Sequence, residues 1–371
     1  MKDMLMDKIL GSLVGGAAGD ALGYTVEFFT DTLIRRKYGP AGITRYDLNA
    51  AGVAEISDDT QMTLFTANGL LNAFVAKHAD ADMSDYLAAI TDAYIDWYYT
   101  QFPDVFHNVQ HVCWLWNERE LHQLRAPGNT CIMALRALCT GNVVRNDSKG
   151  CGGIMRVAPV ALFAAVHRDR WSGAQVAKLA GEAARLTHLH PLGFLPAALF
   201  AYIIYALLPL EKPTREEVEE IIHEGEKILR DIYGEHTRHI DVLTKLIDKA
   251  IALSRSDVTD AEALSLLGEG WVAEETLAVA VYSFLRYRNE VEKALVVAVN
   301  HNGDSDSTGA VAGNLIGALL GYEAIPDCYK EHLELLPVIQ TIGSDICQSA
   351  SGGDHAEPAG WMKKYGKKNI D

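Results

Sequence analysis

Between Leu192 and Leu210 the chain runs for 19 residues without a charged side chain. A helix that is apolar on every face needs lipid or protein on all sides. This segment carries Pro196, Tyr202 and Tyr205 and has no cationic cluster at either flank, which favours a helix buried at the centre of a large helical body over a membrane span. The chain has no second segment of this kind. Its 371 residues suffice for such a core, as one large domain or about two average ones.

Elsewhere apolar residues recur with a helical period over roughly 4–20, 58–76, 84–99, 129–140, 172–187, 236–253, 272–288 and 307–320. Alternating strand patterns are nearly absent. Thr214 with Glu217, and Thr259 with Glu262, have the spacing of capping boxes. After the first, Val218, Ile221, Ile222, Gly225, Leu229 and Ile232 trace the inner stripe of an outer helix that Gly234 can end. No repeat or Ser/Pro-rich linker divides the chain, so one compact all-α domain over residues 1–371 is expected. The tail from Gly352, with Lys363, Lys364, Lys367 and Lys368, is expected as loosely packed surface.

With 33 basic and 49 acidic side chains the net charge is -16, which repels a polyanion and argues against a general nucleic-acid binder. An acidic chain can still hold a small anion through backbone amides or bound cations. The six cysteines, at 113, 131, 139, 151, 328 and 347, form no CxxC pair and suit free thiols in a reducing, cytoplasmic compartment. Met1 to Leu10 lacks an uninterrupted apolar stretch and is expected to open the mature chain.

Two aspartate-rich turns each lead into a helix of small and apolar residues: Ser57-Asp58-Asp59-Thr60, and Gly303-Asp304-Ser305-Asp306-Ser307-Thr308-Gly309. An aspartate at a helix start suits both the free N–H groups and the dipole. Carboxylates that converge repel by about 4 kcal/mol per pair at about 4 Å and an effective dielectric of about 20. Helix dipoles, worth roughly 0.3–1 kcal/mol each, do not offset that. The residues alone thus leave two readings: two independent helix caps, or one site for hard divalent cations such as Mg2+, Mn2+ or Ca2+. An EF-hand is excluded, because Leu315 stands at the loop's last position where a bidentate Glu is required.

The run Gly11 to Gly23 is rich in glycine but has neither GxGxxG nor a Walker lysine, so it is expected as a helix whose small face admits another backbone. Glu27 is the nearest carboxylate beyond Asp20 that is free to enter a pocket. Ser148-Lys149-Gly150-Cys151-Gly152-Gly153-Ile154-Met155-Arg156 is either an ordinary loop or a phosphate cradle before a helix. Cys151 has no evident histidine partner and is expected as a packed thiol. His107 and His111 have i,i+4 spacing but lack the Glu and third ligand of a zinc site. His188 is a structural histidine or a ligand contact; Trp271 is core packing or a face for an adenine ring.

Taken together, GSLVGGAAGDALG with Glu27, SDDTQM at 57–62, SKGCGGIMRVAPV at 148–160, THLHP at 187–191 and NGDSDSTGAVAG at 302–313 resemble the ADP-ribosylglycohydrolase family. That family includes arginine-specific ADP-ribosylhydrolases, dinitrogenase reductase-activating glycohydrolases and some jellyfish lens crystallins. The resemblance implies a compact orthogonal bundle of helices holding two Mg2+ or Mn2+ ions. By that likeness Ser57, Asp58 and Asp59 face Asp304, Asp306 and Ser307 across the ions. Glu27 then lies near the scissile bond, Gly150 to Gly153 hold a diphosphate, and Ser148 and His188 stand beside the ligand. Relatives usually have Asn at the position of Cys151 and Thr at that of Ser307.

The implied reaction is hydrolysis of the N-glycosidic bond of ADP-ribosyl-arginine on a protein, with Glu27 or Asp59 as general base. The same chemistry on another acceptor (serine, a nucleic-acid end, a small metabolite) and a non-catalytic ADP-ribose binder are the competing expectations. Neither a membrane nor a general nucleic-acid partner is expected.

Overall fold

The computed structural model describes residues 2–103, 109–350 and 358–366. It is all-α, and among the described residues the only β pairings are two isolated bridges. Sixteen α-helices follow one another among these residues: α1 Lys2–Tyr24, α2 Asp31–Tyr38, α3 Asp58–Lys77, α4 Met83–Gln101, α5 Asn129–Cys139, α6 Ala158–Val166, α7 Gly173–Arg185 and α8 Pro191–Leu207 form the first half. The second half holds α9 Arg215–Ile232, α10 Thr237–Arg255, α11 Asp260–Leu267, α12 Ala273–Arg286, α13 Val291–Val299, α14 Ser305–Leu320, α15 Leu336–Ser349 and α16 Pro358–Tyr365. All eight periodic stretches fall on helices.

The uncharged segment becomes α8, almost wholly buried and packed by α6, α7, α9, α10, α12 and α14. Its environment is protein on every side, and no described helix is long and apolar enough to cross a membrane. Both predicted capping boxes form: the Thr214 hydroxyl accepts from the Glu217 amide at 3.2 Å and the Glu217 carboxylate accepts from the Thr214 amide at 2.6 Å. Thr259 and Glu262 repeat the arrangement at the start of α11.

The closest helix contact in the molecule is α1 against α14, antiparallel and nearly backbone to backbone. Gly11, Gly15 and Gly19 lie against Gly317, Gly313 and Gly309, and a Cβ on Gly15 would sit 2.5 Å from the Gly313 carbonyl oxygen. The small face expected of residues 11–23 thus meets a matching small face on α14. At the seam's far end Gly23 meets Ser305, so the end of α1 and the start of α14 emerge side by side.

The tail departs from expectation over 358–366. Here α16 docks through a buried Tyr365 whose hydroxyl donates to Asp345, and Lys364 pairs with the same carboxylate and lies over the Trp114 ring at 4.5 Å. An aromatic side chain with a buried acceptor outweighs the lysine-rich composition that suggested loose surface. Residues 352–357 and 367–371 of that tail, like His107, lie outside the described residues. His111 stacks on Trp116 at 3.4 Å and bonds Asp96 at 2.6 Å, a structural role.

Overpacking a tight seam typically costs about 1–3 kcal/mol. Gly15→Ala is expected to lower the unfolding free energy by at least that much in urea titration. Gly234→Ala, where a new Cβ meets nothing within 4 Å, should stay within about 0.5 kcal/mol. Equal midpoints for the two variants would refute the seam's role.

Candidate functional site

The start of α3 is capped twice. The Ser57 hydroxyl accepts from the Asp59 amide at 3.1 Å, and Asp20, reaching across from α1, accepts from the Ser57 and Thr60 amides at 3.0 and 3.1 Å and from the Thr60 hydroxyl. With the cap supplied by Ser57 and Asp20, Asp58 and Asp59 have no capping duty. The start of α14 is held by Asp304, whose carboxylate accepts from the Ser307 amide at 3.3 Å and whose amide donates to the Glu269 carbonyl at 2.9 Å. Gly303 makes that turn at φ 111°, where a Cβ would strike the Glu269 backbone.

Both helix starts open into one cleft of about 380 Å³. Its walls include Glu27, Asp58, Asp59, Asp304, Asp306 and Ser307, together with Gly150, Cys151, Gly152, Met155, His188 and Trp271. The two helix caps and the shared acidic site are therefore not alternatives: Asp306 also accepts from the Ser307 amide at 2.9 Å, and Asp58 and Asp59 still oppose Asp304 and Asp306 electrostatically. Ser57, Ser148, Lys149 and Gly153 are not on the wall. Ser57 is buried behind it, and Ser148 bonds Thr130 at 3.1 Å. Gly153 packs on the Gly193 carbonyl, while Lys149 turns away into an ion pair with the buried Glu274.

The electrostatics follow from burial of so many carboxylates. Glu27 is pushed up to about 8, first by burial and then by Asp304, Asp58 and Asp20. Burial, then neighbouring carboxylates, also raises Asp59 and Asp306 well above the usual range. Asp58 rises for the same leading reason, opposed by the hydrogen bond from the Gly128 amide. Glu27 Oε2 and Asp59 Oδ1 are buried without any hydrogen-bond partner. No Lys or Arg lines the cleft among the described residues. No three of these carboxylates bring one oxygen each within 4.8 Å of one another, so they stand as opposed walls and not as a closed cage. Orphaned carboxylate oxygens are hard donors, the chemistry that suits a divalent cation such as Mg2+ or Mn2+.

The cradle is a loop with a short 3-10 turn at Cys151–Gly153. Two of its amides serve its own structure: Gly150 donates to the Ser148 hydroxyl at 3.3 Å and Cys151 to the Trp271 carbonyl at 3.3 Å. The Cys151 thiol donates to Asp304 Oδ2 at 2.7 Å, which ties the cradle to α14; burial and that carboxylate keep it a thiol. His188 lies against Gly150 and Gly152 and bonds Thr187 at 2.9 Å. Burial, then Arg156, lowers its pKa to about 3, leaving a neutral ring. Trp271 is 40% exposed and stacks with Phe28, itself 71% exposed, at 6.0 Å; this places it at the mouth of the cleft and ends the core-packing reading.

Sequence reasoning missed four contributors. Asp20 is the tertiary cap of α3. Loop 126–130 closes one side of the cleft and donates the Gly128 amide to Asp58 at 3.4 Å; its Pro127-Gly128 pair was a turn signal. Phe28 has no pattern to mark it. Arg156 is fully buried over the Tyr94 ring at 4.2 Å and donates to Thr187 at 2.6 Å, fastening the cradle to the end of α7.

Comparison with known proteins places this architecture among relatives. The family model described as ADP-ribosylglycohydrolase matches residues 1–355. The ADP-ribosyl-dinitrogen reductase glycohydrolase of Rhodospirillum rubrum is 26% identical over 340 residues, 89% of this chain and 91% of that protein. ADP-ribosylhydrolase ARH3 of Bos taurus is 29% identical over 205 residues, 50% of this chain and 54% of the relative, so that match spans about half the relative's length. A solved structure titled ADP-ribosylglycohydrolase-related protein complex superposes with a TM-score of 0.58 at 23% identity, covering 94% of this chain and 99% of that one, a likeness of fold.

A Glu titrating at about 8 in the folded chain, against 4.5 ordinarily, keeps a proton that the unfolded chain has released. The stability that proton carries is full below pH 4.5 and is lost as pH rises through 8. Asp20, raised to about 6 by burial against its hydrogen bonds, acts in the same direction. In chelator-treated protein the melting temperature is expected to fall from about pH 5 to about pH 8.5, less steeply in Glu27→Gln. A rising or flat profile would contradict the crowded cleft.

Proposed function

Because the chain belongs to the ADP-ribosylglycohydrolase family, we propose that it is a glycosidic-bond hydrolase that removes mono-ADP-ribose from arginine on proteins, releasing ADP-ribose. The observation that carries this reading is the meeting of Glu27, Asp58, Asp59, Asp304 and Asp306 on one cleft. Its acceptor assignment rests on the resemblance of the five sequence blocks to arginine-specific members.

In this reading Asp58 and Asp59 on one wall, with Ser57 buried behind them, and Asp304, Asp306 and Ser307 on the other would hold two Mg2+ or Mn2+ ions. Such ions, when bound, orient ribose hydroxyls and lower the pKa of water. Cleavage of an N-glycosidic bond builds positive charge at the anomeric carbon, and a cleft walled by carboxylates is complementary to it. Glu27, whose proton is held near neutral pH, suits transfer of a proton to or from the reacting water, with Asp59 the alternative. The departing guanidine leaves with a proton.

The diphosphate would lie against Gly150, Gly152 and the neutral His188, and the Phe28–Trp271 pair offers a flat apolar surface for the adenine ring. Cys151 gives the cradle a thiol where relatives usually have an amide, so it withholds one polar contact from the ligand. All six cysteines are free thiols, which fits a reducing, cytoplasmic site of action.

Purified protein incubated with ADP-ribosyl-arginine and ADP-ribosyl-serine proteins is expected to release ADP-ribose from the former, only with Mg2+ or Mn2+ present. Asp304→Ala and Glu27→Gln should each lower the rate by about 100-fold or more. Release from the serine substrate alone would reassign the acceptor. ADP-ribose binding with release from neither would make the chain a binder.

A further inference from the structure

Helices α9 and α10 run antiparallel on the outside of α8, and their seam is a ladder of ion pairs. At one end Glu219 takes Arg215 at 2.8 Å and Arg255 at 2.5 Å; toward the other, Asp241 takes Arg230 at 2.8 Å. The rung between them breaks the rule. There Glu226 and Asp248 face each other across His223, its Nδ1 at 3.3 Å from Glu226 Oε2 and 3.9 Å from Asp248 Oδ1.

One imidazole nitrogen can give one proton to one acceptor, so this rung holds more acceptors than donors. The Glu226 side chain is only 8% exposed, and its second oxygen, Oε1, is buried with no hydrogen-bond partner. A buried carboxylate oxygen left unsatisfied is costly. The hydroxyl of Thr244, one helical turn before Asp248 on α10, is a second buried atom without a partner. The nearby Lys227 pairs with Glu224 at 3.5 Å, and Lys249 donates to the Leu266 carbonyl at 2.5 Å.

We propose that His223, Glu226 and Asp248 form a binding site for a zinc-class divalent cation that clips α9 to α10. One ligand atom from each lies within 4.8 Å of the others. Neighbouring ligands about 2.1 Å from a tetrahedral zinc stand about 3.4 Å apart, close to the 3.3 and 3.9 Å found here. A nitrogen with two carboxylates matches borderline cations, unlike the facing carboxylates of the cleft, which match harder ones. His223 and Asp248 are 45% and 53% exposed, so the ion enters from solvent and keeps an open position for water. None of the three residues lines the cleft, and the site does not depend on the hydrolase reading.

The test is isothermal titration of tag-free, full-length protein with zinc chloride in excess Mg2+, beside Zn2+-dependent thermal shifts. Wild type is expected to bind zinc at this site and to melt at a higher temperature with it. His223→Ala and Asp248→Asn, both at exposed positions and expected to keep the zinc-free melting temperature, should each weaken binding roughly tenfold or more. Asp304→Ala should leave it unchanged. Zinc binding as strong in His223→Ala as in wild type, no uptake by wild type, or loss of uptake in Asp304→Ala alone would each overturn the assignment.

Discussion

The contact of α1 with α14 is the constraint on which the rest of the molecule turns. Two helices that meet backbone to backbone interlock in one register only, because any slide drives a Cα or a side chain into a carbonyl. That register decides where α14 begins. It sets Asp304 and Asp306 beside the end of α1, from which Glu27 follows and from which Asp20 reaches over to cap α3. Three acidic segments far apart in the chain are thereby brought to one place by residues whose only contribution is to lack a side chain.

What the seam assembles is electrostatically unfavourable. Two helix dipoles favour negative charge at their starts by roughly 0.3–1 kcal/mol each, far less than the repulsion among carboxylates on opposite walls. The structure responds in two ways. It satisfies whichever carboxylates it can with backbone amides, as at Asp20 and Asp304, and it leaves Glu27 and Asp59 each with an oxygen that nothing in the chain satisfies. A fold optimised for stability alone would replace such groups with apolar side chains. They stand instead in a rigid frame with no lysine or arginine on the cleft wall among the described residues, which the proposed divalent cations would complement.

The sequence displays some of this and hides the rest for identifiable reasons. Helices with one wet face, such as α9 and α10, declare themselves by period, and capping boxes are local chemistry, so Thr214 and Thr259 are legible from four residues each. The short apolar α6 is buried all round and carries no stripe, so only the small-residue loop before it signals its start. The small face of residues 11–23 signals that a backbone comes close but not which one. The convergence of residues 58 and 306 has no local signature at all, and only the ordered set of motifs suggested it. Lys149 shows the limit of motif reading: adjacent to the cradle in sequence, it is drawn off by Glu274 on α12.

Arg156 shows how a site can depend on a residue that never enters it. Fully buried, its guanidinium is held by the Tyr94 ring, the Thr187 hydroxyl and the Ala183 carbonyl, so the loop that precedes it is pinned to the interior of α4 and the end of α7 at once. The same cation helps keep the adjacent His188 neutral, second to burial. A neutral ring can donate or accept at the nitrogen facing the cradle, whereas a protonated one would place a full positive charge opposite the acidic wall and draw Asp58 or Asp59 toward itself. By holding one positive charge out of reach, Arg156 leaves the carboxylates of the cleft with no basic side chain beside them among the described residues.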